Sequence, residues 1–377
     1  MSIVIDDKKI TDINISNKNV QKIVDILTGK IIFEKTKPVS NEYFYIENTY
    51  NGGNTISLKT TIGSGNITGS HATQLQYSKD KETWTTIKLS GTNTIRMNSG
   101  ERVYFRNDSG SFNWYKKARD RFYTQIKCSN NHKVGGNINS LLDYNNYNVA
   151  ITPYCFFSLF YENKYLTDAN ELIFSKTSLA SHCYQYMFYG CTSLTTAPEL
   201  PATTLAYNCY DSMFYGCNSL TTAPELPATT LAPNCYDSMF GSCTSLTTAP
   251  TLPATTLASN CYEFMFQNCT SLTTAPALPA TTLASSCYYS MFYGCNSLTT
   301  APELPAKTLA EGCYYNLFDN CTSLNNVTVY ADDISALDCT TNWLSNVASS
   351  GTFRNLGSVI YPTGASGIPD GWTEVKN

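Results

Sequence analysis

Residues 209–217 read CYDSMFYGC, residues 235–243 read CYDSMFGSC and residues 287–295 read CYYSMFYGC. A Cys-Tyr pair recurs every 26 residues from Cys183 to Cys313, and a second cysteine follows each pair at a fixed distance. The first five of these six copies continue with SLTTAPELPATTLA or a close variant. Self-similarity at a fixed period of this length is typical of repeat proteins, in which every unit packs only on its neighbours. The sequence therefore predicts a stack of similar units.

Two degenerate copies extend the six clear ones. Cys155 begins an upstream copy with the same internal spacing, and Cys339 begins a downstream copy in which Trp343 takes the Met position. Eight units therefore run from about residue 150 to residue 345. Degenerate end units are expected where a repeat array must cover its open core.

Each unit shows two local patterns. In CYxxMFxGC the apolar residues fall at offsets 1, 4, 5 and 8 from the first, which predicts one face of a short helix. Gly190, Gly216 and Gly294 precede the second cysteine and fit a helix stop. LTTAPEL predicts one or two short strands per unit, stacked in parallel. The strands are expected to be short because the proline in each segment removes a backbone donor and limits a regular ladder.

The combined pattern CYxxMFxGC and SLTTAPELPATTLA resembles the BspA-type leucine-rich repeat, in which an Ala-Phe-x-x-Cys helix precedes a Leu-x-x-Ile-type strand. Residues 336–372, from ALDCTTNW to GIPDGW, are similar to the segment that follows such arrays. Sequences of this type are familiar from gut Bacteroidales and from the phages that infect them, including crAss-like phages. The resemblance covers residues ~140–377 and implies a solenoid that serves adhesins and virion fibres alike.

The first third of the chain has a different character. ITDINISNKNVQKIV and GKIIFEK (29–35) predict a small β element that resembles the N-terminal segments of phage structural proteins. From about residue 42 to 127, alternating runs such as YFYIEN and RVYFRN lie between Gly- and Asn-rich turns. Six or seven such runs predict an antiparallel β-sandwich.

We therefore predict a mainly β fold with short helices, in which an N-terminal β module and an antiparallel β-sandwich precede a BspA-like leucine-rich-repeat solenoid of 26-residue units. The predicted parts are an attachment module (1–38), the β-sandwich (39–132), the solenoid with its N-terminal cap (133–345) and a C-terminal cap (346–377).

Composition and charge exclude several functional classes. Charged residues make up 14% of the 377 residues, against about 25% in ordinary domains, and the net charge is -4. We therefore expect no nucleic-acid partner, because a basic patch is missing. No apolar run approaches the ~18 residues of a membrane span. The start, MSIVIDDKKITDINIS, lacks a signal-peptide pattern, so we expect folding in the reducing cytoplasm of the host bacterium.

The cysteines could serve as zinc ligands, as disulfides or as packing groups. Zinc sites need Cys or Cys/His clusters at short spacing, whereas these pairs are eight apart and the chain has three histidines. Residues eight apart in a helix are about 12 Å apart, too far for a disulfide. Disulfides between units remain open, but buried thiols pack as small hydrophobes. We predict a structural ladder of Cys183, Cys191, Cys209, Cys217, Cys235, Cys243, Cys261, Cys269, Cys287, Cys295, Cys313 and Cys321.

The sequence offers little for catalysis. GSGNITG (63–69) lacks the spacing of a phosphate-binding loop, and no nucleophile–base set accompanies His71, His132 or His182. The slot of Glu199 holds Thr251 and Ala277 in other units, so its carboxylate is not repeated machinery. We predict a protein that is not an enzyme, with no cofactor and no catalytic or metal site.

Variable positions of the predicted helices carry the binding hypothesis. Helical offsets place them away from the core, where tyrosines supply contact area at low entropic cost. Neutral drift on exposed positions is the alternative, and rows of paired threonines could face glycans or be ordinary β-favouring residues. The candidate exposed variable face consists of Tyr186, Tyr189, Asp211, Tyr215, Asp237, Glu263, Phe264, Tyr289, Tyr293 and Tyr315.

These features predict a phage virion protein: a head fibre, a capsid decoration or a tail-associated fibre. Its N-terminal region would dock on other virion proteins, and its solenoid would contact a host-surface glycan or protein. A homo-oligomer is possible, although no heptad pattern predicts one. The alternatives are a BspA-like bacterial surface or secreted adhesin, and an enzyme with a sugar-directed sandwich.

Overall fold

The computed structural model describes residues 22–24, 31–34, 42–62, 74–107, 114–115 and 121–376. The chain divides into two compact units, Met1–Ser40 and Asn41–Asn377. In the first unit, β1 (Lys22–Val24) pairs antiparallel with β2 (Ile31–Glu34). β2 lies within GKIIFEK, where the sequence predicts a β element. The remainder of the predicted attachment module lies outside the described residues, as do GSGNITG and His71.

The second unit begins with two sheets. Their strands are β3 (Phe44–Asn48), β4 (Asn54–Ile62), β5 (Gln74–Ser78), β6 (Thr85–Lys88), β7 (Thr92–Met97), β8 (Arg102–Arg106), β9 (Trp114–Tyr115), β10 (Arg121–Cys128) and β11 (His132–Asn137). One sheet has the order β7-β4-β10-β9, and these strands pair antiparallel. The other has the order β12-β11-β3-β8-β5-β6, in which β12 is Leu166–Ile173. Alternate side chains such as Val103 and Phe105 on β8 are buried in a shared core, as expected for strands with one solvent-facing side.

The six-stranded sheet continues into the first repeat unit. β11 pairs antiparallel with β3 and parallel with β12 (Leu166–Ile173). A single 3-10 turn, Ile138–Leu141, follows β11, and it is the one helical element among the described residues. Asn137 caps this turn by accepting a hydrogen bond from the Asn139 N–H. β11 thus joins strands from both sides of the predicted domain boundary after residue 132 in one sheet. The boundary itself stays a prediction.

The segments predicted as short helices are runs of turns instead. Alternate N–H groups bond within a unit: that of Met187 donates to the carbonyl of Tyr184, at 3.1 Å. The N–H groups between them bond to the next unit: those of Tyr184 and Phe188 donate to the carbonyls of Cys209 and Met213, at 3.0 and 2.9 Å. The same alternation recurs in the following units. The predicted helix in each unit is therefore wrong, since half of the backbone donors leave the unit.

Left-handed backbone explains why no helix forms. Every fourth residue of each run has a positive φ: +58° at His182, +57° at Tyr186 and +68° at Gly190 in one unit. A residue in this conformation ends a right-handed helix. Gly190 and its equivalents Gly216 and Gly294 therefore occupy turn positions that favour glycine, and the predicted helix stop at these residues is wrong.

The threonine- and proline-containing segments of neighbouring units run parallel to each other. Their pairing is limited to isolated bridges, such as Thr222 with Thr248 and Thr204 with Thr230. The sequence predicts short parallel strands here, and among the described residues regular strands occur at this place in two units, as β12 in the unit that begins at Cys155 and as β13 (Asn326–Val329) in the unit that begins at Cys313. Proline between the threonine pairs lacks the N–H that would extend each bridge into a ladder.

Columns of identical side chains fill the interior of the repeat region. Tyr184, Tyr210 and Tyr236 are fully buried, and their rings stack nearly parallel with centroids 5.7 and 5.8 Å apart. Phenylalanines form a second column, with 5.3 Å between the centroids of Phe188 and Phe214. A ring inside such a column is covered on one face by the preceding unit and on the other by the following unit. No unit can therefore bury its apolar residues alone.

A small parallel sheet closes the C-terminal end. It consists of β13, β14 (Gly351–Asn355) and β15 (Trp372–Lys376). Trp343 is fully buried, stacks on Tyr314 at 6.0 Å and packs edge-on against Phe353. Its indole N–H donates to the carbonyl of Gly367 at 3.1 Å. The column of stacked tyrosines therefore ends on Trp343, whose ring is itself buried.

Candidate recognition surface

Paired polar side chains three residues apart stand along the turn runs. Asn208 donates its Nδ2 hydrogen to Asp211 at 2.7 Å, and Asn260 donates to Glu263 in the same way. The first residue of each pair is left-handed, with φ of 54° at Asn208 and 56° at Asn260. Asparagine tolerates this conformation better than most residues. The pairing therefore combines a backbone requirement with a contact to the acidic side chain.

The two slots of each pair change together between units. Where the second slot holds Tyr289 or Tyr315, the first holds Ser286 or Gly312, both of them left-handed with no amide to offer. This joint change argues against independent drift at the second slot, because an acid there comes with an asparagine partner three residues earlier.

Asp211 lies inside the molecule. Its carboxylate accepts hydrogen bonds from Gln185, Asn208 and Ser212 at 2.6, 2.7 and 2.7 Å, and only 7% of the residue is exposed. The sequence places Asp211 on an exposed helical face, and this placement is wrong. Stacked aromatic rings show that units lie less than 6 Å apart here, so Gln185 of the preceding unit covers the carboxylate.

Three acids occupy the same slot in successive units. Asp211, Asp237 and Glu263 form a column whose members repel one another. Burial, together with the charges of Asp211 and Glu263, raises the pKa of Asp237 to about 7. Burial also raises the pKa of Asp211 and of Glu263. Part of this column is therefore protonated near neutral pH.

The predicted tyrosines divide into two separate groups. In the first, Tyr189 stacks between Tyr161 and Tyr215, with centroids 5.0 Å apart on each side. Tyr186 packs edge-on against Tyr189 at 5.8 Å. Because stacked rings cover one another's faces, these tyrosines are half-buried and present mainly ring edges and hydroxyls.

The second aromatic group lies in later units. Tyr289 and Tyr315 stack at 4.7 Å, and Phe264 meets Tyr289 edge-on at 5.3 Å. Tyr293 is half-buried and shares its slot with Tyr215, but Gly241 and Gln267 fill that slot in the units between them. The predicted face therefore does not form one continuous aromatic surface. It consists of an earlier and a later aromatic group, and the acids of the carboxylate column come between them in the order of the units.

The cysteines lie in the core. All 15 are free and buried. The second cysteine of a unit donates its thiol hydrogen to a phenylalanine carbonyl of the preceding unit, as Cys217 does to Phe188 at 3.2 Å and Cys243 to Phe214 at 3.1 Å. Burial raises the pKa of the Cys243 thiol to about 12. These thiols therefore stay protonated and are poor nucleophiles at neutral pH.

The sequence predicts a second surface only in part, through its rows of paired threonines. We call it the threonine–proline strip and define it as residues 195–204, 221–230, 247–256, 273–282 and 299–308. Of the first four segments, 247–256 exposes five threonines and the other three expose four each, while the leucine and last alanine of every segment are buried. Thr247 donates its hydroxyl hydrogen to the carbonyl of Thr221 at 3.1 Å. The strip is therefore an exposed array of hydroxyls over an apolar base.

A groove of about 240 Å³ opens in the middle of this strip. Its lining includes Pro250, Thr251, Pro253, Pro276, Ala277 and Pro279.

The groove lies where the glutamate slot is interrupted. Glu225 in the preceding unit accepts a hydrogen bond from Thr251 at 2.7 Å and so extends across the boundary between two units. In the same way, Glu303 accepts a hydrogen bond at 3.3 Å from the hydroxyl of Tyr330, which lies 27 residues later. Thr251 and Ala277 are too short to span the next boundary. The interruption is visible in the sequence, where Thr251 and Ala277 stand at the slot that holds glutamate in the flanking units.

The described residues contain no group of three or more His, Cys, Asp or Glu placed to hold a metal ion. His132 is buried between the Asn130 carbonyl and the Asn163 amide, and burial lowers its pKa to about 4. His182 contacts Gln185 at 2.9 Å and stacks on Tyr154. Within the described ranges, no helix has the length and apolar character that a membrane crossing requires.

No protein-family model matches the chain, and no curated protein or solved structure does. Functional assignment therefore depends on the geometry of the repeat units.

Proposed function

We propose that residues ~150–345 form a BspA-like leucine-rich-repeat solenoid, and that the chain is a non-enzymatic structural protein that displays this array for binding. The carrying observation is the hydrogen bonding between units: the N–H groups of Tyr184, Tyr210 and Tyr236 each donate to a carbonyl 25 residues later, at 3.0 to 3.1 Å. Units tied in this way repeat the same surface slots at constant spacing. Such an array suits an extended contact better than the chemistry of one enclosed pocket.

Within this class we propose a virion component, either a head fibre, a capsid decoration or a tail-associated fibre. The resemblance of the repeat and of the N-terminal segment to phage proteins supports this assignment. The compact unit Met1–Ser40 is distinct from the rest of the chain and is a candidate for docking on capsid or tail proteins. The repeat region would then contact a host-surface glycan or protein, and many copies on one particle would compensate for weak single contacts.

Density-gradient purification of particles tests the virion assignment. Particles from an infected or induced culture are probed with an antibody against the repeat region and analysed by quantitative mass spectrometry. We expect the chain to co-sediment with particles at a fixed ratio to the major capsid protein. Recovery in the cell envelope and absence from particles would overturn the virion assignment in favour of the adhesin.

A truncation tests the docking assignment separately. Removal of residues 1–40 should release the chain from particles while residues 41–377 keep the thermal unfolding transition of the full chain. Continued attachment of the truncated chain would show that docking uses another region.

A further inference from the structure

We propose that the groove in the threonine–proline strip binds a neutral sugar residue of a glycan, with the C–H face of the sugar on the proline and alanine floor and its hydroxyls on the flanking threonines. This inference rests on the proposed binding function and names the ligand class and the site.

The floor of the groove is apolar and already exposed. Pro253, Ala277 and Pro279 are exposed, and Pro276 is half-buried at the boundary between the two units. Proline rings and an alanine methyl group offer rigid C–H surface that loses little conformational entropy when covered. A ligand with one apolar face can remove this surface from water without displacing any protein side chain.

Thr251 lines the groove, and in each of the two units exposed threonine pairs precede and follow the lining residues in sequence. In the two units that form the groove, the exposed threonines are Thr247, Thr248, Thr251, Thr255, Thr256, Thr273, Thr274, Thr281 and Thr282. Each hydroxyl can both donate and accept a hydrogen bond, as each sugar hydroxyl can. An apolar floor accompanied by threonine hydroxyls is therefore complementary to a pyranose, which carries C–H groups on its face and hydroxyls around its edge.

Charge selects for a neutral sugar. Residues 247–256 and 273–282 contain no charged side chain, whereas Glu225 and Glu303 stand exposed at the same slot in the flanking units. Carboxylates at both ends of the groove disfavour sulfated, sialylated and uronic-acid sugars through like-charge repulsion. The hydroxyls of a longer neutral glycan can instead donate hydrogen bonds to these carboxylates.

Size and composition favour a sugar over a protein anchor. A volume of about 240 Å³ is below the roughly 300–1,000 Å³ of pockets that enclose drug-sized ligands, so the groove accommodates one ring at a time. Protein interfaces derive most of their affinity from aromatic or arginine anchors in desolvated pockets, and the described lining has no aromatic or charged residue to meet such an anchor. We therefore expect weak binding by each groove and avidity on a multivalent particle.

Affinity electrophoresis of the purified full chain provides the test, with dextran, mannan and galactan as neutral probes and polygalacturonate as the anionic one. We expect retardation by at least one neutral polysaccharide and none by polygalacturonate. Ala277→Glu introduces the residue that the flanking units carry and should weaken the retardation at least about fivefold. Ala277→Thr, which introduces the residue of the neighbouring slot, is the matched control and should bind as the unsubstituted chain does.

A gain-of-binding variant completes the design. Glu225→Thr extends the uncharged strip by one unit and should increase retardation. Since residues 225 and 277 are exposed, all variants should keep the same thermal unfolding transition.

Three outcomes would overturn the inference: no retardation by any neutral probe, equal retardation of Ala277→Glu and the unsubstituted chain, or stronger retardation by polygalacturonate. None of these would affect the particle test above, so failure of the sugar site is distinguishable from failure of the virion assignment.

Discussion

The second cysteine of each repeat unit supplies a weak donor where the backbone has an acceptor to spare. The carbonyl of Phe214 already accepts the N–H of Cys217 at 3.1 Å, and the thiol of Cys243 reaches the same oxygen at 3.1 Å. A carbonyl has two lone pairs, so both contacts can form. Cysteine therefore combines a small apolar volume with a donor, whereas alanine lacks the donor and serine buries a more polar group.

Thiol reactivity should follow this burial. In the native protein at neutral pH, we expect all 15 thiols to react slowly with a thiol reagent, because they are buried and their hydrogens are retained. In denaturant without reductant, all 15 should react. A titration before and after denaturation measures both values, and prior reduction is the control. Few reactive thiols in the unreduced denatured protein would instead indicate disulfides between units.

The carboxylate column should make stability depend on pH. The pKa of Asp237 is raised to about 7 in the folded state, against about 3.9 in an unfolded chain. The folded state therefore holds the proton more tightly. Its stabilising contribution is complete below pH ~4 and is lost as pH rises through ~7, a loss of roughly 3–4 kcal/mol. Chemical unfolding at several pH values between 4 and 8 measures this loss.

Asp237→Asn separates this residue from other titrating groups. The amide has the shape of the carboxylic acid but does not ionise, so the variant should lose less free energy of unfolding between pH 4 and 8. An unchanged pH dependence in the variant would show that Asp237 does not control the column.

At the scale of the element, the same sequence pattern fits two structures. Offsets of 1, 4, 5 and 8 describe a helical face, and they also describe a turn run that repeats every four residues. The distinguishing signal lies at every fourth position, where Asn208, Ser212 and Gly216 are residues common in turns. These three have φ of 54°, 53° and 71°. The turn run is stable only because the next unit accepts its remaining N–H groups.

A shortened chain should fold only when the deletion removes a complete 26-residue unit, because the remaining units then keep their alignment with one another. Deletion of Cys235–Asn260 joins Asn234 to Cys261 and recreates the native Asn-Cys junction. The shortened chain should fold with lower stability, because one interface between units is lost. Deletion of only 13 residues, 235–247, places turn runs against proline segments and should abolish cooperative unfolding. Near-ultraviolet circular dichroism of the stacked tyrosines and thermal unfolding measure the difference.

Equal stability of the two deletion variants would contradict a stack held in register by these contacts.

At the scale of the whole molecule, Asn41–Asn377 is one compact unit in which the antiparallel strands and the repeats share a sheet. Gly136 lies at this junction on β11, with φ of +73°. A Cβ there would stand within 2.1 Å of the Tyr43 carbonyl oxygen. The repeats therefore begin on a strand whose backbone approaches its neighbour too closely for a side chain.

Gly136→Ala should consequently destabilise the whole unit by more than about 3 kcal/mol, through a strained φ and a backbone clash. Gly100→Ala is the matched control, because Gly100 has φ of +70° with no atom within 4 Å of the added Cβ. It should cost only about 1–2 kcal/mol. Urea unfolding measures both, and equal losses would show that the close contact at Gly136 is not limiting.

The sequence alone established the 26-residue period, the units that carry it and the mainly β character of the chain. These features follow from local residue order and from the alternation of apolar and polar side chains, both of which are properties of the sequence itself. The candidate surface was predictable to a lesser degree. Tyr186, Tyr189 and Tyr215 do lie together, but the burial of Asp211 and the proline groove depend on the distance between units.

Only the tertiary structure decided that the turn runs are not helices and that Thr251 and Ala277 open a groove. Both outcomes depend on what the neighbouring unit offers: a row of carbonyls for half of the N–H groups in one case, and the absence of a spanning glutamate in the other. No single unit contains this information, because its hydrogen bonds are completed, and its surface is shaped, by residues 26 positions away.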